Sequence, residues 1–245
     1  ADLPAPETVG SEAGRRAVER LNPKSIASSK LPIVFEPRIA GGLISHLLGA
    51  MSAPAIARKA SFLLGHEADE LFDPAIRIVE DPLRKRGQRS RPFDGEGVRT
   101  GPRELVRDGR VTGWLTNVSS ADQLGLELTG HASRGGGGSP GVSASNVHME
   151  PGTVSPDALM AGIEDGLYVT SLFGQGVNTV TGDYSRGATG FRIRKGQIAE
   201  PVAEITIAGN LLDMYRALTP ADDLEMHRSI NVPTLRIDGM MVAGE

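Results

Sequence analysis

The stretch from Leu167 to Gly209 constrains the fold more than any other part of the chain. Its segments YVTSLFG, TVTGDYS, GFRIRKG and AEITIAG alternate apolar and polar residues, with glycines between them at nearly regular intervals. Alternation with a period of two turns successive side chains to opposite faces, so each segment reads as a half-buried strand. Lys195-Gly196 stands between two of them as a hairpin turn. The series Gly174, Gly176, Gly182, Gly187 and Gly190 calls for strongly coiled strands or close approach of backbones. The spacing predicts an antiparallel meander, and the rest of the chain has to cover it.

The longest clean helical pattern lies upstream, in RIAGGLISHLLGAM from Arg38 to Met51. Ile39, Leu43, Ile44, Leu47, Leu48 and Met51 recur at spacings of three and four, which gathers them on one side of a helix. Ser45 falls opposite that stripe and His46 at its edge. Leu31 to Phe35 is a continuous apolar run ended by Glu36-Pro37, suited to a buried strand that feeds the helix. Pro54 breaks or kinks any continuation toward Arg58. Residues 1 to 9 carry prolines and read as an extended lead-in. Ser11 then caps a helix with the stripe Ala13, Ala17, Val18 and Leu21, stopped at Asn22-Pro23.

From Ser61 onward short strand patterns alternate with turn residues. Phe72, Ile76, Ile78 and Val79 outline a strand before Asp81-Pro82. The loop that follows places five arginines and lysines between Arg84 and Arg91. They are read as a solvated loop offset by Asp94, Glu96 and Glu104, or else as a patch that steers a phosphate or an acidic chain. Asp108-Gly109, inside Glu104 to Leu115, is the strongest hairpin signal. Ala132 to Ser145 contains four consecutive glycines and reads as a flexible connector, without the Lys and Ser/Thr of a phosphate-cradling loop. Asn146 to Glu150 is extended, and Ser155 opens a helix with Pro156 in its first turn and Gly166 after its end. Asn210 to Leu218 is a short helix and Pro233 to Val242 a final strand. The fold class expected is α+β, a mostly antiparallel sheet with a few short helices. We divide the chain into residues 1–60, bearing the long helix, and a β-rich region over residues 61–245.

Composition removes several functions. A net charge of −4 and a pI near 5.8 give no basic footprint, so nucleic acid is not the expected partner. With no cysteine there is no disulfide framework, thiolate ligand or cysteine nucleophile. No apolar run is long enough to span a membrane and no signal peptide is visible, so a cytoplasmic location is expected. Ala1 in place of an initiator methionine is read as the start of a fragment or processed product. His46, His66, His131, His148 and His227 form no sequence cluster, and His66-Glu67 has no second histidine at zinc-helix spacing. Asp94, Glu96, Asp183 and Asp222-Asp223 lie in turn-like contexts that suit capping. Ser185 lacks a nucleophile elbow.

Segments 61–65 (SFLLG), 90–98 (SRPFDGEGV), 166–214 and 233–244 (PTLRIDGMMVAG) resemble the C-terminal half of the TldD/PmbA family, once called modulators of DNA gyrase. Within it they are similar to the PmbA branch, also called TldE. In TldD-type members the helix after the buried strand carries His-Glu-x-x-x-His, two zinc ligands and a catalytic glutamate, and a later Gly-Asn-Cys-Gly segment adds a cysteine ligand. By this resemblance Ser45 and Ala50 stand where the histidines would be and His46 where the glutamate would be, and no cysteine follows His227.

The resemblance implies a non-catalytic subunit of a two-component zinc metallopeptidase that handles unfolded peptides. It implies no cofactor in this chain, zinc in a TldD-type partner, and hetero-oligomer formation or self-association. Gly174, Gly176, Asn178, Gly182 and Ser185 are the candidate peptide-binding residues, because glycine-rich strands allow a peptide to add along a backbone edge. The alternative is a regulatory binding protein, linked to gyrase or to a toxin and its antitoxin, that acts without a peptidase complex.

Overall fold

Prolines set the start of three helices. The structure, a computed structural model, describes residues 4–174 and 176–244. Helix α1 (Pro6–Glu19) leads into strand β1 (Ser29–Phe35), α2 (Pro37–Ala50) and the short α3 (Ala53–Ala57). Strands β2 (Ile78–Glu80), β3 (Arg103–Arg107) and β4 (Arg110–Val111) precede α4 (Val118–Leu124). Next come β5 (Ala132–Ser133), β6 (Gly141–Val142), β7 (Val147–Met149) and α5 (Pro156–Ala161). The meander β8 (Asp165–Phe173), β9 (Asp183–Arg194) and β10 (Gln197–Asn210) is followed by α6 (Leu211–Arg216), β11 (Leu218–Pro220), β12 (Ile230–Asn231) and β13 (Leu235–Ala243). Pro6, Pro37 and Pro156 open α1, α2 and α5, where a missing N–H costs nothing.

The meander forms with three strands where four segments were expected, because Thr179 to Gly182 lie in the turn and the rest of TVTGDYS runs on through GFRIR as the single strand β9, and it closes on itself. Strand β1 runs parallel to β8 and antiparallel to β13, while β10 also pairs with β13, so β1, β8, β9, β10 and β13 make a ring. The apolar run in β1 is continuous because both faces are covered. Ile33 and Phe35 point into the main core, and Val34 packs with Met160, Ile163 and Ile193 beneath α5. The strand from before residue 60 thus shares one sheet with strands from after it. A second sheet, ordered β12, β7, β2, β3, β4, carries the Asp108-Gly109 hairpin between β3 and β4. Tyr215 of α6 joins the layers: it stacks on Phe72 at 4.8 Å and its hydroxyl donates to the Leu43 carbonyl at 2.8 Å. Among the described residues no helix is long and apolar enough to cross a membrane.

Four expectations need correction. Helix α1 begins at Pro6, not Ser11, because Ala5 is extended and Pro6 is already at helical φ; residues 1–3 of the expected lead-in lie outside the described residues. Its apolar stripe is exposed, with Val18 at 67% and Leu21 at 63%, and Arg16 holds the helix to Glu36 at 2.6 Å. The strand over Phe72 to Val79 is confined to β2; Phe72 and Ile76 are buried in an Asp73 turn. Helix α5 stops at Ala161, and Gly166 belongs to β8, where a Cβ would meet the Pro32 carbonyl at 2.9 Å.

Gly190 lies opposite Val169 across the β8–β9 pair, where a Cβ would lie 2.0 Å from the Tyr168 carbonyl oxygen. Gly42 lies on the exposed side of α2 with nothing within 4 Å of its Cβ position. Gly190→Ala should therefore lower stability by about 1–3 kcal/mol through overpacking, whereas Gly42→Ala should raise it by about 1 kcal/mol through helix propensity. Urea unfolding of both variants checks the opposite signs.

Candidate functional site

The exposed face of α2 looks across a groove. Ser45 and Gly49 are four residues apart, one helical turn, and both line a recess of about 360 Å³ together with Ser52, Arg58, Arg89 and the extended segment Val142 to Ser145. A second recess of about 530 Å³ shares Ser52, Arg58 and Val142 and continues past α3 to Asn117, Gln123 and Ser139 to Gly141. One wall is helical and the other is strand-like. The strand-like wall has an edge without a described backbone partner, at half-buried Val142 and buried Ala144. Its residues pair with β5 in the register Ala132 with Val142 and Ser133 with Gly141, and the Ser143 amide donates to the His131 carbonyl. Antiparallel alternation then turns the N–H and C=O of Val142 and Ala144 the other way, where no described backbone group takes them. Pro140, of the same parity, gives its carbonyl to the Asn117 amide group at 2.6 Å.

A buried polar network fixes this wall. Glu80 of β2 accepts from the Ser145 amide at 2.5 Å and meets His131 Nε2 at 2.6 Å, and His131 Nδ1 contacts Thr129 Oγ1 at 2.8 Å. Burial pushes the Glu80 carboxyl up, but His131 and the Ser145 amide outweigh it and hold the net value below the usual range. Asn146 does the same for the neighbouring loop, accepting from the Arg89 amide at 2.9 Å and donating to the Asp81 carbonyl and Ser90 Oγ. The two walls are held from behind.

The basic loop is not offset as expected. Asp94 takes the amides of Glu96, Val98 and Ala132, Glu96 takes the Val118 amide, and Glu104 pairs with Arg77 and Arg107. Arg84 and Arg91 are instead spent on the carbonyls of Met226 and Ser143. Arg89 is left at the groove.

The positions marked on α2 do not converge. Ser45 is exposed, and its hydroxyl donates to the Gly41 carbonyl at 3.0 Å. His46 is half-buried and packs edge-to-face on Tyr184 at 6.3 Å, outside the residues that line the groove. Burial, then the charge of Arg186, pushes its imidazole below the usual value, and Tyr184 is pushed up to about 12, mainly by burial. Ala50 is buried, and its carbonyl accepts from Ser61 Oγ at 2.7 Å. A bonded hydroxyl, a turned-away imidazole and a methyl do not fit a zinc site, which needs three or four converging donors, and no step through a metal is derived for this chain. Among the described residues no group of three His, Asp or Glu could hold a metal ion.

Gly174, Gly176, Asn178, Gly182 and Ser185 do come together, as the closed turn between β8 and β9. The Ser185 amide donates to the Gly176 carbonyl at 2.6 Å, Asn178 to Asp183 at 2.8 Å and Gly182 to Asn178 at 2.9 Å. Gly174 takes a φ of +80° before that turn. The turn's backbone is therefore occupied from within, and the open edge lies at Val142 and Ala144. That segment sits in the low-complexity stretch, where glycine and serine hide the strand pattern. Helix α4 was also missed, although Asn117 and Ser120 form a reciprocal capping box and Gly125 a left-handed cap.

Residues 28–244 match the PmbA/TldA metallopeptidase C-terminal domain. The chain belongs to the PmbA/TldD family. It is 40% identical over its whole length to the metalloprotease PmbA of Escherichia coli O157:H7, covering 52% of that protein. A Thermotoga maritima structure named for modulation of DNA gyrase superposes with a TM-score of 0.89 at 29% identity, over 99% of this chain and 56% of that one. The fold is also that of TldE from Thermococcus kodakarensis, with a TM-score of 0.85 at 22% identity, over 97% and 55% of the two chains. The chain spans about half the length of the curated relatives it matches. In this PmbA/TldD domain α2 forms one wall of the groove.

Two measurements test the site's physics. The Glu80 carboxyl is held below 4.5, so its contribution is present above about pH 4.5 and is lost as pH falls through the lower folded value. Glu80→Gln should cost about 1.5–3 kcal/mol at pH 7, and the gap to wild type should close in acid, as read from thermal unfolding across pH. An NMR titration of His46 should give a midpoint below ~6.5; a midpoint at or above it contradicts the buried placement.

Proposed function

We propose that this PmbA/TldD domain belongs to the non-catalytic, TldE-like subunit of a two-component metallopeptidase, and that its groove holds an extended peptide. One observation carries the reading: the open edge of Val142 and Ala144 faces the α2 wall across a recess, so a peptide laid in it can pair through its backbone with little sequence preference. The absence of converging donors on α2 supports assigning the zinc to a TldD-type partner, with this chain supplying positioning. Unfolded peptide is the substrate class of this reading, since the partner added along that edge must itself be extended with its backbone unpaired.

Incubating the chain with zinc and a flexible peptide should give no cleavage, and adding a TldD-type chain should give turnover that a chelator abolishes. Chelator-sensitive turnover by this chain alone overturns the reading. Affinity purification from cells should recover a TldD-type chain in stoichiometric amount. Its consistent absence supports instead a regulatory protein, of the gyrase-linked or antitoxin-linked kind, working without a peptidase.

A further inference from the structure

The groove carries positive charge with no acid in its lining. Arg58 lines both recesses and Arg89 lines the one beside α2, and both side chains are exposed. Neither guanidinium is in an ion pair or side-chain hydrogen bond with any described residue, and no Asp or Glu lines either recess. Several arginines elsewhere are ion-paired with acids, among them Arg77, Arg110, Arg192, Arg194 and Arg236. In the groove of about 520 Å³ under α1, Arg15 and Arg16 are tied to Glu12, Glu19 and Glu36, and Arg20 donates to Thr170. Two unpaired cations beside an open strand edge, in a chain of net charge −4, set a local field opposite in sign to the molecule.

We infer that the groove selects extended peptides that carry carboxylates, with Arg58 and Arg89 as the charge-reading residues. The inference rests on the peptide-groove reading above. Backbone pairing at Val142 and Ala144 holds any extended chain, so discrimination has to come from side chains, and the charged ones among a lining of hydroxyls and apolar groups that include Leu48, Leu115 and Ile230 are these two arginines. A guanidinium takes a carboxylate through two parallel N–H donors and stays charged at any physiological pH. The carboxylate comes from Asp or Glu side chains or from a peptide's free C-terminus. A basic peptide meets two like charges and no counter-ion.

Fluorescence anisotropy with end-blocked, labelled peptides that differ only in Asp, Asn or Lys at matched positions tests this on the whole chain. The Asp peptide should bind about tenfold more tightly than the Asn peptide at low salt, with the gap shrinking as salt rises. Arg58→Gln and Arg89→Gln should each remove about threefold of that preference, lowering Asp-peptide affinity more than Asn-peptide affinity. Arg58→Glu should shift preference toward the Lys peptide. Unblocking the C-terminus of the Asn peptide separates the two carboxylate sources: a gain equal to that of the Asp side chains assigns the charge reading to the terminal carboxylate. Equal binding of Asp and Asn peptides overturns the inference and leaves the peptide groove standing. Failure of every peptide to bind overturns both, and displacement of the Asp peptide by an uncharged-base oligonucleotide of equal charge overturns carboxylate selection in favour of a general anion site.

Discussion

Ring closure between β1 and β13 is the constraint on which the rest of the structure depends. Phe35 lies opposite Leu235 and Ile33 opposite Ile237, so strands from the two ends of the chain lock side by side over fully buried side chains. Closing a sheet removes its edges, and with them the invitation to pair with another chain. The glycines of the meander serve that closure. At Gly176 a Cβ would stand 1.6 Å from the Ser185 carbonyl oxygen, so the turn seals only because no side chain is there. Unpaired backbone is left outside the ring, where the short strand through Val142 faces α2.

Helix α2 links the barrel to the groove because its two sides meet different surroundings. Leu43, Ile44 and Leu47 are almost fully buried and take Tyr215 of α6, while Ser45 and Gly49 meet the recess. The opposite wall is held by a buried contact network: Glu80, which meets His131, also accepts from the Ser145 amide, which ties β2 to the groove lining. Stability and site geometry therefore share the same groups.

Much of the fold was legible in sequence. Period-two alternation located β8, β9 and β10, period 3.6 located α2, and Asp108-Gly109 and Lys195-Gly196 marked their hairpins, because these signals are local. Ring closure was not legible, since it depends on pairing between residues far apart. The site was legible in part. Family resemblance pointed to α2, and spacing made its stripe a core face, but the glycine series of residues 174–185 suggested an edge that closure fills. The edge we propose for peptide lies in a Gly/Ser stretch too weakly patterned to read, and the free arginines there are defined by which acids are used elsewhere.

The central claim is that an extended peptide adds along Val142 and Ala144. Amide hydrogen exchange of the chain with and without saturating flexible peptide measures this directly. The account predicts new protection of the Val142 and Ala144 amides, with no change over residues 176–185. Protection confined to residues 176–185, with Val142 and Ala144 exchanging as before, would contradict it.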